Sequence, residues 1–205
     1  MGFIPPVMDD WDTDDLITSA LVKTYILDNL NYLNSAVSSQ IIITAAGMWP
    51  DITAGCAAIN QIEIGSAPID LKVLDFDASS IEYAQCTIPA MPSDWDGGTL
   101  TARFIWTAND NTTNAVVWTV GLVSLADGEA IDSAWGSAKT VTDQNGGAAY
   151  TIRKSDSTAA ITAGGISPAG GELLQIYVGR AATDGADTLA TDARLIGVIF
   201  TYTRT

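Results

Sequence analysis

A chain of 205 residues can bury one sizeable all-β core, while a formal net charge of −15 with only 9 Lys and Arg excludes a broad phosphate-binding surface, so neither nucleic acid nor an anionic membrane is an expected partner. His is absent, which removes Ser–His and Cys–His nucleophiles, imidazole bases and most zinc sites together; no enzymatic activity and no cofactor are expected. Hydrophobic residues reach 47% against 16% charged, leaving apolar area that favours oligomerisation.

Residues 1–15 are acidic, carry Pro5 and Pro6, and lack the basic start of an export signal, so they read as an extended arm with Trp11 as its docking side chain. Thr18 is placed to cap a helix whose first turn is Ser19 to Val22. Val22, Ile26, Leu30 and Leu33 then recur at helical spacing as one apolar stripe, and the Ser-rich stretch 35–39 ends it. A lone helix of about four turns is marginal in water, so the stripe must pack on its own domain, on symmetry mates or on another protein.

From residue 40 the pattern turns to β. Strands are expected at 41–45, 61–64, 69–76, 82–88, 100–106, 115–125, 139–142, 150–153, 173–178 and 195–202, with one helical turn at Asp127–Trp135. Short strands divided by Gly and Pro imply a mainly β fold, a jelly-roll-like antiparallel β-sandwich (40–205) after an N-terminal arm and one α-helix (1–39). In the strand at 115–125, Val116, Trp118, Val120 and Leu122 share a face, but Val117 and Val123 make the other apolar too; this strand is central and covered, or sits at a subunit interface. Near the C-terminus Ile196, Val198, Phe200 and Tyr202 fall together, opposite Leu195 and Ile199. The longest apolar run, Leu195 to Phe200, is far below the ~20 residues of a membrane-spanning helix.

Candidate chemistry is sparse. Trp95, between Asp94 and Asp96 in a turn, could offer a flat apolar face to a sugar ring with carboxylates for its hydroxyls, or could close the end of a sandwich. Asp184, Asp187 and Asp192 supply hard oxygens but not the spacing of an EF-hand, so a metal is not expected. Asp75, Asp77 and Glu82 would need to flank a cleft to act as a glycosidase pair, and carboxylates at strand ends more commonly cap loop amides. Cys56 and Cys86 are either a disulfide or two buried thiols.

Two stretches carry a resemblance. WDTDDLITSALVKTYILDNLNYLNSAV, with Asp28, Asn29, Leu30 and Leu33 as its D-N-L-x-x-L motif, resembles the opening segment of tailed-bacteriophage virion proteins. LDFDASSIEYAQCTIPAMPSDWDGGTLTARFIWTA and RAATDGADTLATDARLIGVIFTYT look like a domain of phage structural proteins. The resemblance implies a non-enzymatic virion component, assembled in the host cytoplasm, with a jelly-roll-like domain. It further implies a homotrimeric capsid decoration protein or short head fibre, held through Trp11 and the Val22/Ile26/Leu30/Leu33 stripe to a protein such as the major capsid protein. The alternative is a tail-fibre or baseplate receptor- or glycan-binding module contacting its ligand through Asp94, Trp95 and Asp96.

Overall fold

The computed structural model describes residues 20, 22–35, 38–65 and 68–205. Trp11, Thr18 and Ser19 lie outside the described residues, and nothing of the Val22 and Leu33 side chains is described. A π-helical stretch, Val22–Leu27, runs into α1, Asp28–Ser35. At the junction Asn29 Nδ2 donates to Tyr25 O at 3.1 Å, a side-chain bond to the i−4 carbonyl. Ile26 and Leu30 of the expected stripe are 48% and 56% exposed, and Leu27 between them is exposed as well.

Among the described residues eleven strands follow: β1 (Ser38–Thr44), β2 (Trp49–Pro50), β3 (Asn60–Ile64), β4 (Ile69–Phe76), β5 (Ile81–Ile88), β6 (Trp95–Ala108), β7 (Ala115–Leu125), β8 (Lys139–Gln144), β9 (Arg153–Lys154), β10 (Leu173–Ala181) and β11 (Ala193–Arg204). They form two antiparallel sheets. One has the order β3-β4-β11-β6-β9, with β1 also paired to β11; the other has the order β2-β5-β10-β7-β8. Strands β4 to β11 divide as β4-β11-β6-β9 and β5-β10-β7-β8, the strand order of an eight-stranded jelly roll. The fold is therefore mainly β, an antiparallel β-sandwich preceded by a short helix.

Alternation builds the core between the sheets. Leu100, Ala102, Phe104 and Trp106 of β6 point inward against Val116, Trp118, Val120 and Leu122 of β7, all fully buried. Trp118 is the hub: its ring stacks on Phe104 at 5.2 Å and meets Phe76 edge-on at 5.4 Å. Every residue of β7 is buried, so of its two expected placements the covered central strand is the one found. Cys56 and Cys86 are free buried thiols, and burial pushes both up to about 12, far from thiolate chemistry at neutral pH.

Several expectations need correction. The strand expected at 150–153 is displaced: Tyr150 sits in a turn with a φ of 60°, and only Arg153–Lys154 pair with β6. A register shift between Leu195 and Gly197 inserts a bulge in β11, so Leu195 and Val198 both face the core while Ile196, between them, is only half-buried. Residues 127–135 form turns rather than a helical turn. There the Glu129 side chain folds back to accept from Ala126 N, and Gly136 N donates to Leu122 O, tying the segment to β7 instead of to its own helix.

Candidate functional site

The outer face of the β2-β5-β10-β7-β8 sheet carries the site. On β5 the outward positions are Tyr83, Gln85 and Thr87; on β10 they are Gln175, Tyr177 and Gly179. Antiparallel register sets them in rows across the sheet: Trp49–Gln85–Tyr177–Gly121, and beside it Thr87–Gln175–Val123. Residues far apart in the chain thus become a compact grid.

A polar chain runs through this grid. Gln85 Nε2 donates to Asp51 Oδ2 at 2.6 Å, Gln175 Nε2 donates to Gln85 Oε1 at 2.9 Å, and the Thr87 hydroxyl donates to Gln175 Oε1. The Asp51 Oδ1 atom accepts from Thr53 N at 2.8 Å and Ala54 N at 3.1 Å. The Ala54 and Thr53 amides hold the Asp51 carboxyl below the ordinary carboxylate range against desolvation by burial, and Gln85 adds to the lowering. Aromatic rings flank the chain: Tyr177 meets Trp135 edge-on at 4.9 Å and Tyr83 at 5.4 Å. Burial pushes the Tyr177 phenol up, with Tyr83 adding to the effect. Trp135 is 40% exposed and Trp49 47%, so both keep free ring surface beside the polar groups.

These residues line two adjoining cavities. One, of about 420 Å³, is bounded by Asp51, Tyr83, Gln85, Trp135 and Tyr177. The other, of about 530 Å³, lies between Trp49, Gln85, Gln175 and Trp135, with Val123 and Leu125 supplying apolar wall. Gln85 and Trp135 belong to both, so the two read as halves of one groove. Trp135 is held there by close backbone approach: a Cβ on Gly136 would lie 2.0 Å from Thr162 O, and one on Gly164 2.0 Å from Ala134 O.

The residues singled out from sequence fall elsewhere. Trp95 is only 3% exposed, so of its two expected placements the one closing the end of the sandwich is found, and the sugar platform is corrected because no ring face is free. Asp94 is engaged by Arg204 Nε at 2.6 Å and by the Tyr202 hydroxyl at 3.1 Å, and Asp96 accepts from Gly98 N. Asp187 binds Arg180 through both carboxylate oxygens, and the guanidinium also reaches the carbonyls of Phe76, Thr191 and Leu189, fastening the β10–β11 loop. Asp184 accepts from Ala186 N. Asp77 Oδ1 accepts from the Ser79 and Ser80 amides and Glu82 accepts from Asp77 N, the loop-capping roles open to such carboxylates, whereas Asp75 pairs with Arg194 of the neighbouring strand at 3.2 Å. Among the described residues no group of three His, Cys, Asp or Glu side chains is placed to hold a metal ion. The groove residues Trp49, Asp51, Tyr83, Gln85, Trp135, Gln175 and Tyr177 were not singled out from sequence. The Tyr-x-Gln-x-Thr and Gln-x-Tyr alternations, polar and aromatic on an outward face, are the signal that marks them.

No protein-family model matches the chain, and no curated protein matches it. In overall shape it is similar to the C-terminal CBM6 of LamC from Zobellia galactanivorans (TM-score 0.42, 10% identity, 80% of this chain and 99% of that one). It is also similar to a family 35 carbohydrate-binding module from Clostridium thermocellum (TM-score 0.40, 16% identity, 79% and 97%). A third similar structure is TmCBM27, a carbohydrate-binding module described for specific mannan recognition (TM-score 0.41, 10% identity, 82% and 99%).

Proposed function

We propose that this chain is a non-catalytic glycan-binding module, and that the glycan lies in the groove on the β2-β5-β10-β7-β8 sheet. The observation that carries this reading is the hydrogen-bonded chain Asp51–Gln85–Gln175–Thr87 set between the exposed rings of Trp49 and Trp135. Sugars present apolar C–H faces and hydroxyls that both donate and accept. Rings beside amides and a carboxylate match both properties, whereas a bare apolar groove would match only the first. The groove contains no imidazole, and neither thiol lines it. Retardation of the full chain in gels containing soluble polysaccharides tests this reading. At least one polysaccharide should slow the protein, and Trp49→Ala with Trp135→Ala should abolish the effect; equal retardation of the variant would reject the groove.

A second reading concerns where such a module works. The resemblance of the N-terminal segment to phage virion proteins, together with the exposed Ile26, Leu27 and Leu30, supports attachment of the chain to a virion, as a trimeric decoration protein, head fibre or tail appendage. In this reading residues before β1 form the anchor and the sandwich faces outward. A truncation ending at residue 37 leaves the β1–β11 ladder intact; it should fold yet fail to enter particles. Incorporation at the full-length level, or a monomer in sedimentation, would reject the anchor or the trimer respectively.

A further inference from the structure

The charge and hydrogen-bonding character of the groove define which glycan it takes. Among the described residues no Lys or Arg lines either half, and the ionisable acids that do are Asp51 and Asp132. Most cations, Lys72, Arg103, Arg153, Lys154, Arg194 and Arg204, belong to strands of the other sheet. Arg180 is spent in the interior on Asp187. A carboxylate-bearing or phosphorylated sugar entering the groove would therefore meet like charge with no counterion, a cost that grows as water is excluded.

The polar chain reinforces this. Gln85 uses one N–H on Asp51 and one lone pair on Gln175, and Gln175 uses one N–H on Gln85 and one lone pair on Thr87. Each amide thus retains one donor and one acceptor for the ligand, while Asp51 retains only acceptor capacity. Hydroxyl groups fit all of these; an acceptor-only carboxylate fits half of them and is repelled by Asp51. The groove also has two halves that share Gln85 and Trp135, so a ligand filling both must pass the Trp135 ring.

We infer that the groove selects a neutral polysaccharide, engaging at least two consecutive sugars on either side of Trp135 and excluding polyuronates and phosphorylated glycans. This rests on the glycan-binding reading above and adds its ligand class. The test is affinity electrophoresis and calorimetric titration of the full chain against neutral glucan, mannan and xylan, and against polygalacturonate and alginate. Retardation by a neutral polymer but by neither polyuronate, with affinity rising at least ten-fold from mono- to tetrasaccharide of that polymer, is the expected result. Binding of a polyuronate as tight as that of any neutral polymer overturns the ligand class while leaving the groove reading standing, as does a monosaccharide that binds as tightly as the tetrasaccharide. Failure of all five polymers to bind overturns the groove reading itself. Asp132→Lys, at an exposed position on the groove wall, reverses one of its two charges and should raise the ratio of polyuronate to neutral-polymer affinity several-fold. An unchanged ratio in that variant counts against charge exclusion.

Discussion

The Tyr177 ring lies against Gly121 on the neighbouring strand so closely that a Cβ there would come within 2.4 Å of the ring. The glycine is thus a seat, on the outer face of the sheet, for the aromatic that joins Trp135 and Tyr83. Gly121→Ala should displace the ring at an overpacking cost of about 1–3 kcal/mol. Glycan affinity should fall about ten-fold, while urea denaturation still shows one cooperative transition. Unchanged affinity would mean that Tyr177 does not organise the site.

Trp49 and Trp135 should be separable contributors. Each keeps exposed ring surface, and they flank the second half of the groove. Removal of either ring should weaken binding about ten-fold, or about 1.4 kcal/mol, with little effect on thermal stability. The contrast is Trp95→Phe, which should disturb stability and leave binding alone. Titration and thermal melts of the three variants decide the matter.

The interior should respond quite differently. Trp118→Ala should cost about 3–5 kcal/mol, because it empties the space among Phe76, Phe104 and Trp106. Trp118 Nε1 has no hydrogen-bond partner among the described residues, so Trp118→Phe, which deletes that orphan donor, should recover much of the loss. Denaturant midpoints of the two variants give the comparison.

Arg180→Met should cost about 3–5 kcal/mol, since it strands the Asp187 carboxylate, two loop carbonyls and the Phe76 carbonyl in the interior. Adding Asp187→Asn should restore part of it, because the acceptor for Val117 N can persist while the unpaired charge goes. A double-mutant cycle in urea measures the coupling, and purely additive losses would contradict it.

Acid should reveal Asp51. Its folded-state pKa is depressed, chiefly by the Ala54 and Thr53 amides, so its stabilising contribution is complete above the ordinary carboxylate value and is lost as pH falls through the folded one. Asp51→Asn should therefore flatten the decline of melting temperature below about pH 4 and leave the slope above it unchanged. Parallel curves for the two proteins would count against the assignment.

The strands were legible because alternation was strong: Phe104 and Trp106, or Val116 and Trp118, can face only one core. Two positions, Trp95 and Ile196, owe their orientation to one physical cause. Counting by twos back from Leu100 puts Trp95 on the solvent face, but the register shift between Tyr202 and Arg204 changes the phase and turns it inward. Ile196 was misplaced by the second bulge in the same strand pair. The groove stayed hidden for another reason: Gln85 and Gln175 are 90 residues apart, and only the antiparallel pairing of β5 with β10 brings their amides together. Trp135 resembles Trp95 in local sequence, each sitting among small and acidic residues, and nothing local says which ring the sandwich will swallow.

The ladder between β1 and β11 has a mechanical consequence. It runs seven rungs from Ser38–Thr203 to Thr44–Gly197, and β11 is in turn clamped by β6 along most of its length. Tension applied through the segment before β1 therefore loads all seven rungs to β11, a strand paired on both sides, rather than a hinge. Such a chain can be tugged by whatever it holds without first surrendering its grip on itself.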